Sequence, residues 1–389
     1  MTTHPAQLLI LLMLGIGSLL LLASAAFLLY QINRRKIVHV VNPIDTKNGL
    51  ATTVAAYRWN RKERITFAIL AAIMLLWVFS GKYLVQPFFS GNKSAAEKAA
   101  FTYKEIKGKS GASLAVAQQG PSGAPTLLFT HGWGADHQDW SYVIQSLGSR
   151  FNIIAWDLPG LGKSTVSPNY EIKTLAGDLD SVVSSINGPV IIVGHSIGGI
   201  LNIEYARQFP KKLGNQVKGF VQVNTTYTNP VRTKKDAETS MKLQKPVYEP
   251  LLHLITWSSP VARGLAWLAY QSGLAHLQLA KQSFAGNETW AQLDHMASYA
   301  YRSSPGVIAQ GVLGMLHWDG ADVLPKITVP TLVISGNQDV TTLPSASDRM
   351  EHDIPKANRL AVQGAAHLGP VEQHKIYADA IADFASKLN

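Results

Sequence analysis

The sequence predicts an α/β fold with a mostly parallel sheet, helices on both faces and a helical insertion, preceded by two transmembrane helices. Three observations predict this. Two long apolar stretches lie within the first 81 residues, short β-rich apolar runs alternate with helical patterns from about residue 104, and about 100 residues with helical patterns interrupt that alternation. Strands that alternate with amphipathic helices require a parallel sheet that is covered on both faces.

The first apolar stretch, residues 8–30, contains 23 residues without a charge and is long enough to cross a bilayer with some tilt. A secretory signal peptide is the alternative, since Ala23-Ser24-Ala25 resembles a cleavage site. However, Met1–Gln7 contain no basic residue and the apolar run continues past Ala25. An uncleaved span is therefore favoured, although the sequence leaves its cleavage open.

The second apolar stretch, residues 65–81, has 17 residues between Arg64 and Lys82. Trp77 and Tyr83 lie toward its far end, as in the aromatic belt at a membrane interface. A buried core helix is the alternative. No polar residue recurs at a helical period within the stretch, so a second span is favoured.

Basic residues are concentrated beside the two apolar stretches. Of the formal net charge of +10, residues 31–64 carry +6 and residues 82–109 carry +4, whereas residues 110–389 sum to zero. The large C-terminal part therefore lacks the basic surface of a nucleic-acid-binding protein. Because basic loops remain in the cytoplasm, the pattern predicts a cytoplasmic 31–64 loop and a C-terminal domain on the periplasmic or extracellular side of a membrane.

Strand and helix patterns divide the rest of the chain. The apolar β-rich runs are 113–118, 126–130, 152–156, 190–193, 219–223, 331–335 and 359–363. The helical patterns lie at about 138–148, 171–187, 197–209, 344–353 and 371–388. We therefore expect a tail and first span at 1–30, a basic loop at 31–64, a second span at 65–81, a linker at 82–103, a core domain at 104–226 and 323–389, and a helical cap at 227–322.

Polar motifs follow the strands, at the carboxyl ends where reacting groups gather in parallel sheets. They are HGWG at 131–134, DLPGLGKS at 157–164, GHSIGG at 194–199, GNQD at 336–339 and GAAH at 364–367. GHSIGG places Ser196 between Gly194 and Gly198, as a sharp turn between a strand and a helix requires, because the flanking positions approach too closely for side chains. A serine hydroxyl needs a base before it can act as a nucleophile.

A strand, a G-x-S-x-G turn and a helix, followed in chain order by an acid and a histidine at strand ends, resemble the α/β-hydrolase superfamily, serine-nucleophile branch. The likeness runs from about residue 104 to the C-terminus and is to the capped esterase and lipase type, including membrane-anchored monoacylglycerol lipases. It implies Ser196 as nucleophile, His367 as base and Asp339 as the residue that orients the base. It also implies an oxyanion hole from the backbone N–H groups of Trp133 and Ile197, with Gly132 allowing the loop to approach.

Other residues compete for the roles of base and acid. The other histidines lie within or beside predicted helices or the cap, or next to the reacting groups in the family pattern: His317, His352, His374, His131 and His195. The other acids precede the 331–335 strand or belong to the DLPG turn: Asp319, Asp322 and Asp157. Asp339 and His367 fit the strand-end positions best.

Two further classes of site are disfavoured. GLGKS at 160–164 resembles the end of a phosphate-binding loop, but position 157 is aspartate where that motif needs glycine, and Pro168 opposes a helix starting at Lys163. The chain contains no cysteine, which excludes disulfides, thiolate metal sites and a cysteine nucleophile. We expect neither a metal nor an organic cofactor.

The sequence therefore predicts a membrane-anchored serine hydrolase that cleaves carboxylic esters through an acyl-enzyme. Leucine and tryptophan in the expected cap favour an apolar pocket and a lipophilic acyl group, with the lipid bilayer as a second partner. Amide hydrolysis, C–C bond hydrolysis and acyl transfer use the same residues and stay open, as does the oligomeric state. A non-catalytic binding protein on the same fold is the alternative from another class.

Overall fold

A computed structural model of the chain describes residues 5–41, 52–89, 101–234 and 236–388. Two long apolar helices, α1 (Pro5–Asn33) and α2 (Arg61–Val85), open the chain and pack against each other. Strands β1 (Arg35–Val41) and β2 (Thr52–Arg58) pair antiparallel between them, within the stretch expected to be a loop. Both helices are long and apolar enough to cross a membrane.

Eight strands form the main sheet. They are β3 (Thr102–Lys107), β4 (Ser113–Gln119), β5 (Thr126–Thr130), β6 (Asn152–Trp156), β7 (Val190–His195), β8 (Val217–Val223), β9 (Thr331–Gly336) and β10 (Ala357–Val362). Their order is β10-β9-β8-β7-β5-β6-β4-β3, and only the β3–β4 and β4–β6 pairs are antiparallel. The prediction of a mostly parallel sheet is confirmed. In the stretch expected to be a linker, α2 continues to Val85 and β3 begins at Thr102.

We call α1 and α2 together the apolar hairpin. The helices that follow it are α3 (Ser141–Leu147), α4 (Ile172–Ser184), α5 (Ile197–Gln208), α6 (Ala237–Leu243), α7 (Glu249–Trp257), α8 (Ser259–Gln271), α9 (Leu274–Ser283), α10 (Trp290–Arg302), α11 (Pro305–Leu316), α12 (Pro344–Asp353), α13 (Gly369–Glu372) and α14 (His374–Ser386). Helices α4 and α5 bury their apolar residues against one face of the sheet, and α3 and α14 bury theirs against the other. The sheet is therefore covered on both faces, as strands buried along their whole length require.

Helices α6–α11 lie between β8 and β9, and we call residues 227–322 the helical insertion. Its helices divide between two apolar clusters. Helix α11 packs with the residues of α4 and α5, while α8, α9 and α10 form a cluster with Val85 of α2 and with Leu368 beside β10. The insertion therefore contacts both the sheet domain and the apolar hairpin.

Candidate active site

Ser196 occupies the sharp turn between β7 and α5 with φ 53° and ψ −115°. A positive φ is costly for a residue with a side chain and is kept only where the surrounding structure enforces it. A Cβ on Gly194 would lie 2.5 Å from the backbone nitrogen of Gly199 and closer still to the carbonyl group of Gly198. A Cβ on Gly198 would lie 2.6 Å from the carbonyl oxygen of Thr130. The turn therefore requires glycine at 194 and 198.

Asp339 and His367, which follow β9 and β10, form a buried pair. His367 Nδ1 lies 2.7 Å from Asp339 Oδ2, and both side chains are at most 1% exposed. The other carboxylate oxygen accepts hydrogen bonds from the backbone N–H groups of Thr341 at 2.7 Å and Thr342 at 2.9 Å, while the Thr342 hydroxyl donates to Oδ2 at 2.7 Å. These donors fix the carboxylate, so Nδ1 of His367 carries its proton and Nε2 is left as an acceptor.

The protonation states of this pair suit a base and its orienting acid. Burial acts to raise the pKa of Asp339, but the charge of His367 and the hydrogen bonds from His367 and Thr342 outweigh it and hold the pKa below its ordinary value. Burial lowers the pKa of His367 despite the opposing charge of Asp339. Among the described residues, buried Nε2 of His367 has no hydrogen-bond partner. The imidazole is thus neutral near pH 7 with one free acceptor nitrogen.

The HGWG loop follows β5, next to β7 in the sheet. Gly132 donates its N–H to Asp139 Oδ2 at 3.2 Å, and the indole Nε1 of Trp133 donates to the carbonyl of Ile308 in α11 at 3.0 Å. Within the part of the chain that the structure describes, the backbone N–H groups of Trp133 and Ile197 donate to no protein acceptor. Both donors are therefore available to an external oxygen atom.

A buried hydrogen-bonded pair, His195 and Asp139, which the sequence did not reveal, joins the end of β7 to this loop. His195 Nδ1 lies 3.1 Å from Asp139 Oδ2, and His195 Nε2 lies 3.0 Å from the carbonyl oxygen of His367. Burial acts to raise the pKa of Asp139, but the hydrogen bond and charge of His195 hold it well below its ordinary value. The ring centroid of His195 lies 5.0 Å from that of His367.

Asn224 is a second residue that sequence reasoning missed. It follows β8 with φ 42°, and its side-chain amide donates to the carbonyls of Ala366 and His367 at 2.9 Å. Its side-chain oxygen accepts the N–H of Gly336 at 2.9 Å. Asn224 therefore holds the loop of His367 against the end of β9. Its place at the carboxyl end of a predicted strand was the available signal.

The competing histidines lie elsewhere or serve other contacts. His131 Nε2 accepts the N–H of Leu158 at 3.0 Å, and its pKa is lowered by burial. His317 lies 3.4 Å from Glu249 at the surface of the insertion. His352 is 85% exposed beside Asp353, and the ring of His374 lies tilted against that of Tyr142, with centroids 5.6 Å apart.

The competing acids are likewise engaged. Asp157 is hydrogen-bonded to His137 Nδ1 at 2.8 Å and accepts a hydrogen bond from the backbone N–H of Lys163 at 2.8 Å. GLGKS thus closes a turn around a carboxylate, and the next helix begins only at Ile172. Asp319 pairs with Arg232, and Asp322 pairs with Arg207 and Lys326.

The insertion is bonded to the loop beside the site. Tyr299 donates to Asp136 Oδ1 at 2.7 Å, and Ser303 donates to the carbonyl oxygen of Gly134 at 2.7 Å, so α10 is tied to the loop that carries HGWG. Ser196 is 8% exposed and His367 is fully buried. The site is therefore largely buried, and the insertion is fixed to the loop beside it.

A cavity of about 600 Å³ lies outside this site, between residues 168–173 and helix α11. Its lining includes His253 and His317 but not Ser196, Asp339 or His367. Among the described residues, no group of three or more His, Asp or Glu side chains is arranged to hold a metal ion. The residues following β7, β9 and β10 thus form the candidate active site.

Comparison with known proteins agrees with this geometry. Residues 127–380 match the model of the alpha/beta hydrolase family. The chain is 23% identical to 3-oxoadipate enol-lactonase 1 of Acinetobacter baylyi over 73% of this chain and 97% of that protein. It is 21% identical to the pimeloyl-[acyl-carrier protein] methyl ester esterase of Neisseria meningitidis over 68% of this chain and 94% of that protein.

Solved structures share the fold. An esterase from Thermogutta terrifontis matches with a TM-score of 0.58 and 21% identity, covering 74% of this chain and 99% of its own. A bacterial membrane phospholipase A matches with a TM-score of 0.59 and 20% identity, covering 83% of this chain and 96% of its own. The family model covers well over half of the sequence, so the chain belongs to the alpha/beta hydrolase family, in which it resembles esterases and lipases.

Proposed function

We propose that this chain is a membrane-anchored serine hydrolase that cleaves carboxylic esters with lipophilic acyl groups. The observation that carries the proposal is Ser196, held at positive φ on a turn next to the hydrogen-bonded pair of Asp339 and His367. A strained serine beside a neutral, buried imidazole with a free nitrogen is the arrangement that nucleophilic catalysis needs. Ester hydrolysis agrees with the esterases among its relatives.

In the proposed reaction, His367 Nε2 accepts the proton of the Ser196 hydroxyl while Oγ forms a bond to the ester carbonyl carbon. The tetrahedral intermediate collapses as the alkoxide leaves with the proton from Nε2, which gives the alcohol and an acyl-enzyme. A water molecule then loses a proton to Nε2 and attacks the acyl carbon. Return of that proton to Ser196 releases the carboxylic acid. Asp339 keeps its negative charge and stabilises the imidazolium in each half-reaction.

The oxyanion of both intermediates is assigned to the backbone N–H groups of Trp133 and Ile197. Each is free of a protein acceptor among the described residues, and Ile197 opens helix α5, whose N-terminus favours negative charge. One such donor contributes on the order of 100- to 1,000-fold in rate. The hydrogen bond from the Gly132 N–H to Asp139 keeps the loop close to the turn at Ser196.

The membrane part of the proposal rests on α1 and α2, whose lengths and compositions suit two spans. We assign residues 31–64 to the cytoplasm and the hydrolase domain to the periplasmic or extracellular side, from the charge pattern. We assign residues 104–226 and 323–389 to that domain, with 227–322 as its cap. A membrane phospholipase has the same fold, so the fold is compatible with work at a bilayer. The resemblance to membrane-anchored monoacylglycerol lipases stays a prediction.

A fluorophosphonate probe, which forms a covalent bond only with an activated serine, tests the nucleophile. We expect full-length protein in detergent to be labelled, Ser196→Ala to be unlabelled, and Ser335→Ala to be labelled like wild type. Ser335 is the matched control because it is a buried serine in the neighbouring strand β9. Folded wild-type protein that takes no label would refute the hydrolase and favour a non-catalytic binding protein.

Substrate class is tested with p-nitrophenyl esters of increasing acyl length, alongside the matching anilides. We expect kcat/KM to rise from acetyl to decanoyl esters and to be lower for every anilide. A preference for acetyl esters would contradict the lipophilic substrate and leave the serine hydrolase intact. Faster cleavage of anilides would identify an amidase.

A further inference from the structure

The two apolar helices pack against the helical insertion so closely that their backbones approach the backbone of the insertion. A Cβ on Gly15 of α1 would lie 2.6 Å from the carbonyl carbon of Leu265 in α8, and one on Gly81 of α2 would lie 2.8 Å from the carbonyl carbon of Ser272. Ser18 donates to the Ser272 hydroxyl at 3.1 Å in a buried hydrogen bond. Glycine contacts of this kind let helices approach closely. The hairpin and α8 are therefore one packed unit.

This packing fixes the position of α8 along the length of the apolar helices. Gly15 and Ser18 lie within the uncharged stretch that begins at residue 8, about 10–15 Å along the helix at a rise of 1.5 Å per residue. Met13 and Ile16, on either side of Gly15, are 59% and 45% exposed. A bilayer that covers these side chains of α1 extends to the level at which Leu265 of α8 touches the helix.

Helices α7 and α8 present an exposed apolar face that we call the insertion face: Leu254, Trp257 and Val261. These side chains are 53%, 82% and 67% exposed; Leu254 and Trp257 are three residues apart on one side of α7, and Val261 lies in the first turn of α8. Large exposed patches of this kind mark interaction sites. Trp267 continues the surface toward the hairpin, where its ring lies 6.1 Å from that of Phe79 in α2.

The composition around the insertion face suits lipid. Residues 250–287 contain no Asp or Glu and only two Lys or Arg, Arg263 and Lys281. Exposed tryptophan with scattered basic residues and no acid is typical of segments that lie in the interfacial layer of a bilayer. Outside α1, α2 and the insertion, the described chain exposes five large apolar side chains: Phe88, just after α2, and Tyr103, Val166, Val340 and Ile376.

We propose that the insertion face lies in the lipid bilayer beside α1 and α2, so that the cap of the enzyme is itself a membrane-contacting element. The proposal rests on the membrane anchoring proposed above and adds the surface that meets the lipid. Because α10 of the insertion is bonded to the loop that carries HGWG, the element in contact with the lipid also adjoins the candidate active site. Lipophilic esters then enter from the bilayer.

The chain has no cysteine, so single cysteines carrying a nitroxide spin label report local surroundings without background. Val261→Cys and Trp257→Cys test the insertion face, and Met13→Cys tests the anchor. Val166→Cys is the matched control, since Val166 is 68% exposed on the sheet domain and Val261 is 67% exposed. Each full-length variant is reconstituted in vesicles of phosphatidylcholine and phosphatidylglycerol. The collisions of its label with lipid-soluble oxygen and with a water-soluble nickel complex are then compared.

We expect labels at 261, 257 and 13 to collide more with oxygen than with nickel, and the label at 166 to show the reverse. Nickel-accessible labels at 261 and 257 with a lipid-exposed label at 13 would overturn this proposal and leave the anchor intact. A nickel-accessible label at 13 would overturn both. Labels at 261 and 257 that meet neither reagent would show that protein covers the face, for example a second copy of the chain, which also overturns it.

Discussion

The turn at Ser196 makes one substitution especially informative, Gly194→Ala. The added Cβ would lie 2.5 Å from the backbone nitrogen of Gly199, whereas ordinary contacts begin at about 3.4 Å. The obstructing atoms are backbone in both Gly198 and Gly199, so no side-chain rotation relieves the clash. The turn must therefore open by about 1 Å, which moves Ser196 relative to His367.

A displacement of about 1 Å at reacting groups typically costs about 100-fold in rate. That loss corresponds to about 2.7 kcal/mol of activation free energy at about 1.36 kcal/mol per factor of ten. Overpacking a core position typically costs about 1–3 kcal/mol of stability, less than the total stability of most domains. We therefore expect Gly194→Ala to fold and to lose at least about 100-fold in kcat/KM.

The assay combines the second-order rate of fluorophosphonate labelling with hydrolysis of a p-nitrophenyl ester, because the first reports the attack of Ser196 alone. Gly177→Ala is the matched control: Gly177 lies within helix α4, and its Cβ would meet only the flexible Lys109 side chain, at 3.4 Å. The control should keep wild-type rates. A folded Gly194→Ala protein that labels as fast as Gly177→Ala would refute the steric reasoning about the turn.

Three further outcomes follow from the same geometry. Asp339→Asn removes the carboxylate that fixes His367 Nδ1 and should lower kcat about 10,000-fold in ester hydrolysis, whereas an unchanged kcat would contradict the assigned role. Burial lowers the pKa of His367 below 6.5, and His367 must be neutral to act as a base. A plot of kcat/KM against pH should therefore fall on the acidic side with a midpoint below pH 6.5, and a midpoint at or above 6.5 would contradict this. Gly311→Ala places a Cβ 2.7 Å from Cη2 of the Trp133 ring and closer to other ring atoms, so the ring and its loop must shift. We expect kcat for ester hydrolysis to fall by up to about 100-fold relative to wild type, because the backbone N–H of Trp133 moves with the loop. An unchanged kcat would contradict this, since the loop would then tolerate the shift.

The sequence was most informative where a local rule applies. Strands β5 and β6 were predicted with the bounds that the structure has, because runs such as 126–130 are buried and have an apolar centre of β-forming residues. Gly194 and Gly198 were interpretable because a tight turn leaves no room for a Cβ. Asp339 and His367 were found because polar residues at the carboxyl ends of parallel strands converge. The structure brings these two within hydrogen-bond distance, and their catalytic roles stay predictions.

Features that depend on distant partners were not predictable. Strand β3 is short and mostly exposed, so it has no clear apolar pattern, and only its antiparallel pairing with β4 defines it. The role of Asn224 depends on carbonyls more than 140 residues further along the chain. The hydrogen bond from Ser18 to Ser272 joins residues 254 apart in sequence. Nothing in the pattern of an apolar helix shows which surface it packs against.

The hydrogen bonds around the site differ in how readily they break, and this limits which parts of the insertion can move without disturbing the site. Asp139 accepts from Gly132 and His195, and His195 in turn donates to the carbonyl of His367, so one buried pair joins the segments that follow β5, β7 and β10. Separating a buried pair leaves an uncompensated charge, at a cost of about 3–5 kcal/mol. The ion pair of Arg302 with Asp136 joins the insertion to the loop at 3.0 Å; its arginine is 44% exposed and its aspartate 6% exposed, so water reaches only the arginine side of this contact. A movement of the insertion that leaves α10 in place therefore keeps its buried hydrogen bonds to the loop, from Tyr299 to Asp136 and from Ser303 to Gly134, together with the buried pair beside His367.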